Sequence, residues 1–463
     1  MSTNPLHFSI TPSRELLSAN STEQKLFVML KLQPFKEVAA SRPPTTFAFL
    51  IDTSGSMYEV VSGNSQFTGQ QATIDGQTYN IASGGKTKID IVVESLQQLI
   101  QSGKLSQNDR LSIIQFDDKA STLIGLTAGT EIDQFKIAID RLRDFSGGTS
   151  MALGLKKALD ILAPEAMTNR RALIFTDGQT SDEYECEELA KQLAISGIPI
   201  TALGIGDYNE NLLTTLTDTT AGIPYHVVVD NPIGGQVAIA DLPSKLIEEY
   251  GEAQQEVITN LSMTLSTVKG VKPSRIIRVY PTNNEFPIEQ SPYQIGNVAG
   301  NDETIFVLEF TIENRPPGRV RIAQLGLTYD IPGQQRRGEM QPQNLLVEFI
   351  AGEIIPQVNQ EVMGYVQQAN ISQLVNQAAD VVDQNPEKAD ELLEKARKMT
   401  VKLGNVDMSE SLENAQNELR KTRKLSSESR KTVKMGSKGS TVKMNSSPND
   451  ELSEEQIRQI SGT

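Results

Sequence analysis

The chain holds a single cysteine, Cys186, and two histidines, His7 and His226, among its 463 residues. One cysteine cannot close an intramolecular disulfide or supply a thiolate zinc cluster, so the composition suits a reducing compartment. Two histidines far apart in sequence leave a histidine-based triad or a histidine-rich metal site little to draw on. No apolar run approaches the ~20 residues that span a bilayer. The N-terminal MSTNPLHFSITPSRELL also lacks a basic segment followed by an apolar one. A cytoplasmic protein without membrane contact is the expectation. Positive charge is in deficit too: 43 Lys and Arg against 58 Asp and Glu leave a formal charge of -15. Nucleic acid would be repelled by such a chain unless its basic residues were gathered in one place. Hydrophobic and charged fractions of 38% and 22% describe a soluble protein, and the length implies two or three domains.

What is present divides the chain by periodicity. Residues 1–43 read as strands, HFSIT and KLFVMLKLQP, closed by Pro43 and Pro44. From 44 to 235 the apolar runs FAFLID, RLSIIQF, RALIFTDG and PITALGIG alternate with amphipathic stretches such as TKIDIVVESLQQLIQSG and SMALGLKKALDIL. This alternation predicts an α/β domain: a doubly wound, mostly parallel sheet with helices on both faces and functional residues at the carboxyl ends of its strands. The next domain is read over 236–352: after the helix-like LPSKLIEEYGEAQQEV, residues 257–350 return to short alternating strands separated by Pro, Gly and Asn, the pattern of an antiparallel β-sandwich. The N-terminal strands are too few to bury a face alone and are expected to join it, which makes the α/β domain an insertion. A small α-helical bundle is predicted over 353–423 from the stripes in ISQLVNQAADVVDQ and PEKADELLEKARKM. From 424 to 463 Ser, Lys, Gly and Asn dominate, so a disordered basic tail is expected, with LSEEQIRQI able to form one short helix near its end.

The stretch TFAFLIDTSGSM carries the chemistry. Asp52, Ser54 and Ser56 follow a predicted buried strand, and a turn there points oxygen ligands into one crevice. Two more oxygen-bearing loops come at later strand ends or adjoining turns: SGGTSM with Thr149, and IFTDGQT with Asp177. If both reach the same crevice, three hydroxyls and two carboxylates meet there, a donor set for a hard cation. A lone D-x-S-x-S more often caps a helix. With the other two loops in order, the chain resembles the von Willebrand factor type A domain over about residues 44–230, and all five positions of that family's metal-ion-dependent adhesion site are matched. The further stretch TALGIGDYNENLLTTLTDTTAG is similar as well. The resemblance implies Mg²⁺ or Mn²⁺ held by Asp52, Ser54, Ser56, Thr149 and Asp177, with a partner's carboxylate completing the shell. One departure is an insertion over 58–86, in which ATIDGQTYNI reads as a hairpin around Asp75 and Gly76, beside the metal loop and placed to shape partner choice. A tolerated surface insertion is the equal alternative.

Two further signals are weak. GGKT at 84–87 resembles the end of a phosphate-binding loop, but Asn80 stands where that motif needs glycine. Cys186 lies in the acidic DEYECEELAKQL, where neighbouring carboxylates disfavour a thiolate, so it reads as structural. The tail carries a repeat, Thr-x-Lys-Leu/Met, at Thr422, Thr432 and Thr441, with a fourth copy at Thr400 where the helical pattern still runs. A solvated basic tail explains it most simply. Basic residues around a threonine also suit Ser/Thr kinases, and a phosphothreonine followed three residues later by an apolar side chain resembles ligands of forkhead-associated domains.

The leading expectation is a bacterial, cytoplasmic, metal-dependent protein-interaction scaffold. Its adhesion site captures an acidic group of a partner, and its tail is a substrate for a kinase and a forkhead-associated-type reader. No general base or nucleophile is advertised beside the site, so an enzyme is not expected. The alternatives are a Mg²⁺-dependent hydrolase of phosphorylated substrates, and a structural subunit of a larger assembly in which the metal only stabilises the fold.

Overall fold

The structure is a computed structural model, and the residues described are 5–444 apart from 20, 64–65, 75–76, 290 and 353–356. The chain divides into two compact units, Arg42–Glu256 on one hand and Met1–Ser41 with Val257–Thr463 on the other.

The unit Arg42–Glu256 is built on a seven-stranded sheet in the order Ala120–Ala128, Arg110–Phe116, Thr45–Asp52, Asn169–Thr176, Ile200–Ile205, Ile223–Val228, Val237–Ala238. Ala120–Ala128 pairs antiparallel with its neighbour, and the other pairs are parallel. Thr45–Asp52, Asn169–Thr176 and Ile200–Ile205 are buried at every position, which is why their sequences run apolar without alternating. Successive side chains of the central strand Thr45–Asp52 enter opposite layers. Phe47, Phe49 and Ile51 join a core with Val92, Leu96, Phe135 and Tyr250, contributed by the helices Lys88–Gln101, Ile132–Asp140 and Leu242–Gln255. On the opposite face, Met151–Leu162 approaches so closely that a Cβ on Gly154 would stand 2.9 Å from the Phe116 ring. Glu183–Ile195 packs beside that helix, and Glu210–Thr220 beside Glu183–Ile195.

This unit runs further than the 44–235 read from the sequence. Leu242–Gln255 belongs to it because Leu242, Leu246, Tyr250 and Ala253 bury in its core, with the Tyr250 and Phe47 ring centroids 5.6 Å apart. The insertion over 58–86 contains two antiparallel pairs, Val60–Ser62 with Lys86–Thr87 and Gln66–Ile74 with Gln77–Ser83. Its expected turn at Asp75 and Gly76 lies outside the described residues.

In the second unit, strands from before residue 42 pair with strands from after residue 256. One five-stranded sheet has the order Leu6–Pro12, Glu23–Pro34, Thr304–Glu313, Val271–Tyr280, Asn284–Phe286, with Leu30 opposite Phe306. The other has the order Tyr293–Ala299, Glu256–Thr267, Gly318–Ile331, Arg336–Ile350, Leu16–Ser18. The helix Gln360–Val381 serves two cores. Val362, Tyr365 and Val366 pack on Phe27, Met29, Val279 and Val307 of the first sheet, and Val375 and Ala378 pack on the helices Pro386–Leu403 and Val406–Thr422. No helix among the described residues is long and apolar enough to cross a membrane.

The expected disordered tail is corrected over 424–444. Ser427–Gly436 is a helix capped by Ser426, and Val433 and Leu425 pack in the bundle with Leu412 and Leu419. The chain then runs on to Met444, with Thr441 N donating to Pro281 O at 2.9 Å and Lys443 paired with Asp302 at 2.6 Å. Residues 445–463, with LSEEQIRQI, lie outside the described residues. The repeat is clarified by the same packing. The apolar residue three after each threonine is an anchor: Leu403 and Leu425 at the bundle core, Met435 buried at 2% exposure, and Met444 against the first sheet's core. Thr400 and Thr432 are buried, and their hydroxyls donate to carbonyls one helical turn back. Composition misleads here because a few well-placed apolar residues suffice for a segment that docks on an existing core.

Leu425→Ala should lower the unfolding free energy by about 2–5 kcal/mol, the cost of truncating a buried leucine. Urea denaturation followed by circular dichroism measures it, and a solvated tail would show no change.

Candidate metal centre

Asp52 ends the central strand, and the chain turns through Thr53 and Ser54 into the short 3-10 segment Gly55–Tyr58 that carries Ser56. Thr149 lies just before the helix Met151–Leu162, and Asp177 directly follows the strand Asn169–Thr176. From the central strand the chain moves first to Arg110–Phe116 on one side and then to Asn169–Thr176 on the other. The crevice at the carboxyl ends of the strands opens where this order reverses. The loops are tied together by hydrogen bonds to backbone carbonyls. Gly55 N donates to Gly147 O at 3.0 Å, and Thr180 Oγ1 donates to Thr149 O at 3.1 Å. Asp182 fastens the same region by accepting from Ser150 Oγ at 2.6 Å and Ala152 N at 3.1 Å.

The candidate oxygens meet across these loops. Ser56 Oγ donates to Asp177 Oδ1 at 2.7 Å and lies 3.2 Å from Ser54 Oγ. Asp52 is wholly buried, its Oδ1 accepting from Ser54 N at 2.9 Å and its Oδ2 from Thr176 Oγ1 at 2.7 Å. A Cβ on Gly178 would stand 3.4 Å from Thr149 Oγ1 and 3.9 Å from Ser56 Oγ. The two hydroxyls therefore both lie beside Gly178, whose missing side chain leaves that position open. All five residues singled out in the sequence come to this crevice, and the all-oxygen donor set fits a hard divalent cation.

Electrostatics sharpens the picture. The Asp52 carboxyl is pushed up to about 6, first by burial and then by the negative charge of Asp177, against the pull of its hydrogen bonds from Ser54 and Thr176. Lys88 opens the helix Lys88–Gln101, and its ammonium lies 2.7 Å from Asp177 Oδ2 and 2.7 Å from Glu59 Oε2. Burial acts to lower the pKa of Lys88, yet Asp177 and Glu59 outweigh it and hold the group above its ordinary value.

Residues 47–232 match the family model of the von Willebrand factor type A domain. The chain contains a type A domain. Residues 360–443 match a second family, the Sll0103-like C-terminal alpha-helical domain, a span that includes the helix Ser427–Gly436. Two solved structures share the fold of nearly the whole chain. The von Willebrand factor type A protein from Catenulispora acidiphila has a TM-score of 0.72 at 16% identity, covering 95% of this chain and 98% of that one. The ArnB paralog VWA2 from Sulfolobus acidocaldarius has a TM-score of 0.61 at 16% identity, covering 94% and 98%. By sequence, the uncharacterized protein sll0103 of Synechocystis sp. is 24% identical over 247 residues, 50% of this chain and 55% of that protein. The uncharacterized protein YfbK of Escherichia coli is 23% identical over 216 residues, 45% of this chain and 32% of that one. The matched regions thus span about half and a third of these curated relatives.

Sequence reasoning missed Lys88, Glu59 and Thr176 in the type A domain. Lys88 did leave a trace, because a lysine in the first turn of a helix opposes the helix dipole, where acids are favoured. Lys86 and Thr87 of the GGKT stretch have structural work. Lys86 pairs with Glu94 at 2.7 Å, and Thr87 forms a capping box with Asp90. Cys186 is buried near Asp182, and burial pushes its thiol up, in keeping with a structural residue.

In the metal-free chain Asp52 keeps its proton to about 6, whereas the same carboxyl free in water ionises at 3.8. The native state therefore binds the extra proton, and this group's contribution to stability falls as pH rises through that window. Asp52→Asn should raise the unfolding free energy in EDTA by about 1–3 kcal/mol at pH 8 and by much less near pH 4. Urea titrations at the two pH values check this.

Proposed function

We propose that the protein is a metal-dependent interaction scaffold of the bacterial cytoplasm, whose type A domain captures an acidic group of a protein partner. What supports this reading is the meeting of Asp52, Ser54, Ser56 and Asp177 through their hydrogen bonds, with Thr149 and Ser56 both beside Gly178. These residues would hold the ion, Mg²⁺ or Mn²⁺, and a bound ion would supply a Lewis-acidic position open to an outside oxygen. Thr176 orients Asp52, Ser56 orients Asp177, and the loop ties between Gly55 and Gly147 and between Thr180 and Thr149 keep the donors at the spacing they have. The role is binding rather than turnover. His226, the histidine of this domain, is buried and bonded to the Tyr208 hydroxyl at 2.8 Å.

Regulation by a Ser/Thr kinase and a forkhead-associated-type reader belongs to the same proposal in narrower form. Thr422 is exposed and Thr441 half-buried, whereas Thr400 and Thr432 are buried in helices. A reader of phosphorylated Thr422 or Thr441 also needs the following Leu425 or Met444 to leave its packing site. Phosphosite mapping of protein purified from its native host should find Thr422 or Thr441 and neither Thr400 nor Thr432.

Thr149→Ala is the sharpest test of metal dependence, because it removes one donor and leaves every charge in place. Titration calorimetry should show Mg²⁺ and Mn²⁺ affinity reduced about tenfold or more. The same variant should lose whatever partner the wild type retains in Mg²⁺ and releases in EDTA. A partner held equally by both proteins in EDTA would sink the reading. Asp177→Ala is a poorer choice, since it also strips Lys88 of a buried counter-charge.

A further inference from the structure

We propose that Lys88 is a tethered placeholder cation, which balances the buried carboxylates of the crevice when no metal is bound and competes with a divalent ion for the charge of Asp177. The inference rests on the metal reading above and concerns how the site is loaded.

The geometry is specific. Asp177 has two oxygens, and each has its own partner: Oδ1 takes the Ser56 hydroxyl and Oδ2 takes the Lys88 ammonium, both at 2.7 Å. The Lys88 side chain is 6% exposed, and that of Asp177 is fully buried. This is a salt bridge sealed from water, where charges are felt strongly. Glu59 holds the ammonium from its other side and is itself 65% exposed, so it forms the rim of the arrangement. Gly206 has a φ of +76° and a Cβ there would stand 3.5 Å from the Lys88 nitrogen, so the glycine turn closes over the ammonium.

Charge counting gives the consequence. Without metal, Asp52 and Asp177 share one buried crevice, and Lys88 is the positive charge placed against one of them. With a divalent ion present the two carboxylates are already neutralised, and Lys88 is left with only the largely exposed Glu59 as its counter-charge. The buried ammonium then opposes loading by a second cation, and its charge favours an anionic group arriving from outside.

The probe is Mn²⁺ alone, followed by the loss of its free-ion electron paramagnetic resonance signal as full-length protein is added. Lys88→Met should bind Mn²⁺ at least about tenfold more tightly than wild type, as expected when a like charge is removed within a few ångströms. Lys86→Met removes the same charge two residues earlier from an exposed pair with Glu94 and should change affinity by no more than about threefold. A purely structural role for Lys88 would move affinity the other way, because damage to a site weakens binding. Unchanged or weaker Mn²⁺ binding by a folded Lys88→Met protein overturns the proposal. Should that variant not fold alone, saturating Mg²⁺ must restore its circular dichroism spectrum, since the ion supplies the missing charge, and failure to restore it overturns the proposal equally. If neither wild type nor Lys88→Met binds Mn²⁺, the metal reading itself falls. If wild type binds and Lys88→Met binds identically, only the placeholder falls.

Discussion

Two carboxylates cannot share a buried crevice unless something answers their charge. Asp52 and Asp177 emerge from adjacent parallel strands, Thr45–Asp52 and Asn169–Thr176, and both lie out of contact with water. The tension shows in Asp52, whose carboxyl burial and Asp177 push up to about 6. Thr176, Ser54 and Ser56 answer with hydrogen bonds, and Lys88 answers with charge. Lys88 is thus a cation of the chain's own, already placed against the oxygen-lined crevice.

The sheet makes that arrangement possible. Parallel pairing aligns the ends of neighbouring strands, so Asp52 and Asp177 arrive at one edge although a long stretch of chain separates them. The helices on both faces bury Phe47, Phe49 and Phe116 and fix the strands against sliding. Glu59 near the start of the 58–86 insertion and Lys88 just after its end are paired, and the same ammonium reaches Asp177. Whatever the hairpin meets is therefore attached at its base to the residues that set the charge of the crevice.

Much of this was legible in the sequence. The unbroken apolar runs FAFLID and RALIFTDG named the buried strands, since a strand covered on both faces has no polar side to alternate with. The five oxygen residues were legible because each follows a strand or precedes a helix at the same end of the sheet. The tail was misread for a physical reason. A segment that docks on an existing core needs only a few anchors, and Leu425, Val433, Met435 and Met444 are too sparse to register as a pattern. The helix Leu242–Gln255 was assigned to the wrong unit because its stripe of Leu242, Leu246 and Tyr250 says that it packs, and nothing local says on what.

By itself, then, the sequence determined local periodicity: which segments are strands, which are helices, and which residue types stand at their ends. Backbone geometry makes period 2 and period 3.6 readable over a few residues. Only the tertiary structure decided what lies across space: that Lys88 sits on Asp177, that Thr176 holds Asp52, and that the Thr-x-Lys-Leu/Met copies are packing anchors. Those pairings depend on packing between segments distant in the chain, and neighbours in sequence carry no record of it.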